Sequence, residues 1–161
     1  MDVIIDRFRH EDQPVVEQLI QDGLRERWGD DFDPAFNQDV LEIQGNYVNA
    51  GAVVLVARVD GRIVATGTLR IDGLDGEIVR MSVASTHRRR GLARTMVEAL
   101  VESARAHNLE RVRVATDTPW RSAVALYRST GFTEVGTDET DTHFERQLTQ
   151  APRIPRRQTL K

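Results

Sequence analysis

EIVRMSVASTHRRRGLARTMVEAL, running from Glu77 to Leu100, is the stretch whose reading decides the fold. It divides at Gly91. Before it, Glu77 to Ala84 is apolar and β-branched, and Ser85 and Thr86 end the run as they would end a strand. After it, from Leu92, the apolar spacing lengthens from two residues to roughly 3.6, the period of a helix. Between them lies a loop with three consecutive arginines. The first turn of a helix leaves backbone N–H groups without partners and carries partial positive charge, and Gly91 has no Cβ to hold a ligand off. Strand, basic loop and helix start therefore describe a cradle for a phosphate group, with the main-chain amides of Arg88, Arg89, Arg90, Gly91, Leu92, Ala93 and Arg94 as donors.

The spacing Arg-x-x-Gly-x-Ala, Arg88 to Ala93, lacks the Lys-Ser/Thr ending of a nucleotide P-loop and the three glycines of a dinucleotide fingerprint. It resembles motif A of the GNAT superfamily of N-acetyltransferases. EIVRMSV is similar to that superfamily's fourth strand, and ALYRSTGF, Ala125 to Phe132, is similar to its motif B, in the same order along the chain. The resemblance implies an α/β fold of the acyl-CoA N-acyltransferase type, a mixed, mostly antiparallel sheet flanked by helices on both faces in the order βααβββαβαββ. It implies acetyl-CoA as co-substrate, its pyrophosphate on the Arg88–Arg94 amides, one arginine side chain on the 3′-phosphate, and its pantetheine arm along the backbone of Met81, Ser82 and Val83. Glu77 stands where members with this strand opening place a general base. Tyr127, with Ala123, Gly131 and Phe132, matches the motif B tyrosine whose hydroxyl serves as the acid for the departing thiolate. Trp120 stands where the family often has a cofactor-binding asparagine, so that contact is either absent or supplied differently, by Asp117 or by the indole packing on the pantetheine arm.

The remaining composition narrows the choice. At 161 residues the chain is one domain in size, read as residues 1–148 followed by a basic, mobile tail, 149–161. A formal charge of −3 gives no overall attraction to nucleic acid or an anionic membrane. The chain has no cysteine, which removes disulfides, thiolate metal sites and a cysteine nucleophile together. The four histidines show no metal spacing, and no metal is implied. No signal-peptide pattern or membrane-length apolar run is present, which makes the cytoplasm the default compartment, and a homodimer is compatible with the reading.

Along the chain, Val3 to Phe8 alternates as a strand and Glu11 to Arg27 follows with helical period. A second short helix is expected over Val40, Leu41, Ile43 and Tyr47. Asp60-Gly61 joins two β-rich runs as a hairpin, and Thr118-Pro119 reads as a capping hydroxyl and first-turn proline for the helix that carries Tyr127. Trp28, Phe32 and Phe36 with Asp30, Asp31 and Asp33 would favour a cationic acceptor, whereas Arg25, Arg27 and Arg80 would hold an acceptor carboxylate if Arg80 faces the cleft.

The functional expectation is transfer of an acetyl group from acetyl-CoA to a primary amine, of a small molecule or a peptide, by direct attack in a ternary complex. The competing readings are a non-catalytic acyl-CoA-binding domain of the same fold and a nucleic-acid binder using the arginine run. The acidic total and the few aromatic residues oppose the latter.

Overall fold

The computed structural model describes residues 1–148; the basic tail read at 149–161 lies outside the described residues. The chain runs β1 (Val3–Arg7), α1 (Gln13–Trp28), β2 (Val53–Val59), β3 (Arg62–Asp72), β4 (Asp75–Val83), α2 (Leu92–Ala106), β5 (Arg111–Asp117), α3 (Arg121–Ser129), β6 (Thr133–Thr137) and β7 (Asp141–Gln147). The strands form one seven-stranded sheet in the order β1-β2-β3-β4-β5-β7-β6. Only β4 and β5 are parallel, as the intervening α2 crossover requires; the other pairs are antiparallel.

β2 shows why both faces of the sheet are covered. Its residues are buried almost without alternation, which is the signature of a strand with helices on both sides. Val54 and Val56 pack with Val16 and Ile20 of α1, while Val53, Leu55 and Ala57 join the cluster of Met96, Val97, Leu100 and Val101 of α2. The apolar stripe expected from the spacing after Leu92 is the stripe that α2 buries.

Two local expectations are corrected. The segment after α1 is not a regular second α-helix: Pro34–Leu41 is 3₁₀ with a non-helical kink at Asn37, and Gln44–Val48 is a single π-turn. Val40, Ile43 and Tyr47 are still buried against the sheet, so the apolar spacing was real, but Asp33 caps only a short turn and Gly45 breaks the run. At the other end, α3 starts at Arg121, with Trp120 as its cap, rather than at Thr118-Pro119. The Thr118 hydroxyl pairs with that of Thr142 on β7 at 2.9 Å instead of capping, and Trp120 N–H closes a turn on the Asp117 carbonyl at 2.9 Å.

The feature that matters for function is a parting of the sheet. β4 and β5 are in register only over Asp75–Glu77 and Arg111–Arg113. Beyond Glu77, β4 continues to Val83 and β5 to Asp117 without pairing, and a cleft opens between them. The β3–β4 register shifts at the same level: between the pairs Thr66–Ser82 and Thr68–Val79, Arg80 and Met81 of β4 face Gly67 alone. Arg80 takes a left-handed φ of 55°, rare for a non-glycine residue, and turns the strand out of line. Gly67 makes room for this bulge, because a Cβ there would come within 2.5 Å of the Met81 sulfur.

Candidate active site

The cleft has a volume of about 1700 Å³ and is walled by α1, the outer half of β4, the Arg88–Arg94 loop, the end of β5 and α3. Of the catalytic and cofactor-binding residues expected from the sequence, all line it except Glu77 and Arg90, whereas of the acceptor-site residues only Arg27, Trp28 and Arg80 do.

The loop end is built from main chain. Arg89 and Gly91 both have left-handed φ, 60° and 78°, the kind of backbone from which anion-binding nests are built. α2 begins at Leu92, and its first intrahelical bond is Thr95 N–H to the Gly91 carbonyl at 3.0 Å, so the amides of Leu92, Ala93 and Arg94 precede the helical ladder. A Cβ added to Gly91 would meet no protein atom within 4 Å. The arginine side chains are more committed than the sequence implied. Arg88 grips both oxygens of Glu26 on α1 and donates to the Val83 carbonyl at 3.3 Å, while Arg94 donates to the Ser129 carbonyl and hydroxyl at 3.1 and 3.0 Å. A side-chain contact to a second phosphate is thus left to Arg89 or Arg90.

Tyr127 forms the floor. Its ring packs edge-on to Phe132, centroids 5.5 Å apart, and tilted against Phe144 at 6.0 Å. Burial pushes the phenol well above its ordinary value, so it stays protonated through the neutral range. No fully buried side-chain oxygen lacks a partner among the described residues, and the Tyr127 hydroxyl takes none inside the protein, so it meets the cleft.

Glu77 departs from expectation. Its side chain is 47% exposed, it pairs with Arg70 on the neighbouring strand, and it lies before the point where the sheet parts. The partly buried carboxylate expected beside Ile78 and Val79 is not what β4 presents to the cleft.

Two of the arginines weighed from the sequence as carboxylate holders have partners inside the protein that the sequence did not indicate. Arg27, at the end of α1, is paired with Asp117 and lies over the Trp120 ring at 3.9 Å and the Trp28 ring at 5.3 Å, strapping α1 to the end of β5. Asp117 and Trp120, candidates to replace the missing asparagine, are thus engaged with this arginine. Arg80 reaches the turn after α1: Nε donates to Asp39 at 2.9 Å, Nη2 to the other Asp39 oxygen at 2.6 Å, and Nη1 to Asn37 at 3.0 Å. The Tyr47 hydroxyl donates to the same carboxylate. Burial alone would raise the Asp39 carboxyl, but the donors from Arg80 and Tyr47 outweigh it and hold it below its ordinary value. These partners lie 41 and 43 residues apart in sequence, a distance at which no local spacing signals them.

A sheet parted between its two parallel strands, with a glycine-led helix start at one end of the opening, defines the acyl-CoA N-acyltransferase class of fold. The chain belongs to the acetyltransferase (GNAT) family, whose family model matches residues 14–132. It is 33% identical to the IAA acetyltransferase of Azospirillum brasilense over 126 residues, 77% of this chain and 80% of that one. It is 32% identical over 108 residues to N-acetylaspartate synthetase of Homo sapiens, a match covering 65% of this chain but 36% of that protein. Among solved structures, the PaiA N-acetyltransferase of Thermoplasma acidophilum in complex with coenzyme A superposes with a TM-score of 0.79 over 92% of this chain and all of that one, at 13% identity, a likeness of fold.

Proposed function

We propose that the protein transfers the acetyl group of acetyl-CoA to a primary amine by direct attack within a ternary complex. The observation that carries this reading is the continuity of the cleft, which runs from the free amides at the start of α2, along the edge of β4 from which β5 has parted, to the hydroxyl of Tyr127. The coenzyme A held by the Thermoplasma fold neighbour supports the same occupant.

The chemistry follows from the residues present. The amides of Leu92, Ala93 and Arg94 are free to donate to the pyrophosphate, and the β4 edge offers Met81 and Val83 backbone groups to an extended amide chain, as an added strand would use them. An amine attacks only once deprotonated, because an ammonium has no lone pair. Its nitrogen then bonds to the thioester carbon, the carbon–sulfur bond breaks, and the sulfur leaves as a thiolate. Tyr127 donates its hydroxyl proton toward that sulfur. Since burial raises the phenol above a thiol's range, the tyrosine acts mainly by holding a short hydrogen bond to the thiolate, and solvent in the open cleft completes the proton balance. The proton lost by the amine also passes to cleft water, because Glu77 is paired with Arg70 away from the opening.

The test is thiol release from acetyl-CoA in the presence of a panel of amines, with the acetylated product identified by mass. Coenzyme A binding without thiol release for any amine would favour the non-catalytic reading of the same fold.

A further inference from the structure

We infer that the amine acceptor carries a carboxylate and that Arg80 receives it, which makes Arg80 a specificity-determining residue. The inference rests on the N-acetyltransferase reading above and names its substrate class.

The first observation is the state of Arg80. It sits at the bulge where β4 turns away from β5, and its residue lines the cleft with Val79, Met81 and Ser82. A non-glycine residue with φ of 55° inside a strand persists only where its surroundings fix it. Here they do: Asp39 takes Nε and Nη2, Asn37 takes Nη1, and Tyr47 holds Asp39 in turn. A guanidinium has five N–H donors. Three are used among the described residues, which leaves one on Nη1 and one on Nη2 of a side chain that is still 20% exposed. Two donors on a rigid, planar head, already oriented by half-buried partners, suit the two oxygens of a carboxylate and would repel an ammonium.

The second observation is independent and concerns the groups that would have welcomed a cation. Phe32 is already covered by Arg25, whose guanidinium lies 5.1 Å from the ring, and Trp28 and Trp120 are covered by Arg27. Of the carboxylates that line the cleft, Glu26 is taken by Arg88 and Asp117 by Arg27, and only Glu139, in the turn between β6 and β7, has no ion pair among the described residues. Asp33 spends its side chain capping Ala35. Of the aromatic and acidic residues that favoured a cationic amine in the sequence, Trp28 and Phe32 are covered by the chain's own arginines, and Phe36, Asp30 and Asp31 do not line the cleft. Arg80 is also separate from the phosphate end, since its partners come from the turn after α1, whereas Arg88 is tied to α1 itself.

The experiment compares matched acceptors on the unaltered protein: amino acids, the same amino acids as carboxamides, and spermidine, with kcat and KM measured by thiol release. The carboxylate-bearing acceptor is expected to exceed its amide in kcat/KM by about tenfold or more, chiefly through KM. In R80Q the KM for the acid should rise by about tenfold while the acid-to-amide ratio collapses toward one. Arg80→Lys, which keeps the charge but loses the fork, should fall between. A preference for spermidine or for the amides, or an acid-to-amide ratio that R80Q leaves intact, overturns the inference while leaving the N-acetyltransferase reading in place. Thiol release with none of the amines would overturn both. If R80Q does not fold, the acid-to-amide comparison on the unaltered protein decides alone.

Discussion

The two ends of the cleft are built by opposite means. At the loop end, the groups proposed to bind are peptide amides beside two left-handed residues and a helix start, while Arg88 and Arg94 serve as ties to neighbouring segments. At the end near α1 the group proposed to bind is a side chain, Arg80, held like its neighbour Arg27 by a carboxylate from a distant segment. The difference teaches where tolerance lies. A main-chain site resists side-chain substitution unless bulk is placed in it; a side-chain site is rewritten by changing one residue. Four predictions sharpen or break this contrast.

The largest effect is expected at Gly91. A Cβ there meets nothing within 4 Å, apart from the strain of positive φ, and a tryptophan's bulk would fall where the pyrophosphate is proposed to meet the amides. Loss of two hydrogen bonds to a charged group, at roughly 1.5 kcal/mol each, corresponds to about a hundredfold weaker acetyl-CoA binding. Arg89→Ala, which removes an exposed charge but no amide, should cost about threefold or less. Calorimetry giving equal, small losses for both would mean that the loop does not bind through its backbone.

Next is Tyr127→Phe, which keeps the packing against Phe132 and Phe144 and removes only the hydroxyl. Thiol release should slow by about 10- to 100-fold with acetyl-CoA affinity and melting temperature nearly unchanged. A tyrosine that must be protonated loses activity as pH rises through its pKa. Burial raises that pKa, so the unaltered enzyme should show no alkaline decline assignable to Tyr127 below about pH 10. A decline starting near pH 8 would place another acid at the sulfur.

The same contrast explains what the sequence disclosed. The loop end was legible because its physics is local: a strand, a glycine and a helix start within the span from Glu77 to Leu100 suffice to place the amides. Tyr127 was proposed because, with Ala123, Gly131 and Phe132, it resembles the family's motif B. The Arg80–Asp39 and Arg27–Asp117 pairs were not, because they join residues that only the fold brings together. That Glu77 lies outside the cleft lining was not legible for a related reason: the resemblance locates it at the start of β4, but whether that position faces the cleft depends on where β4 and β5 part, one residue later. Glu77→Gln should accordingly change kcat/KM by no more than about twofold across the pH range. A selective loss on the acidic limb would return the carboxylate to the role of base.

The smallest effect is a pH-dependent shift in stability from Asp39. Its carboxyl is held below its ordinary value of 3.8 by Arg80 and Tyr47, against the opposing push of burial. A carboxyl with a lowered folded-state pKa stabilises the fold fully above its unfolded value, and that contribution fades as pH falls through the folded one. Asp39→Asn should therefore lower the melting temperature at pH 7 by about 2–4 °C for each kcal/mol lost. The gap between the two proteins should stay constant down to about pH 5 and narrow below 3.8, because the unaltered protein then loses what the variant never had. All other carboxylates are common to both chains, so the difference isolates this one. A gap that is the same at pH 3 and pH 7 would show that Asp39 supports Arg80 by shape rather than by charge, and Arg80 would then lack the electrostatic anchor that fixes its two free donors.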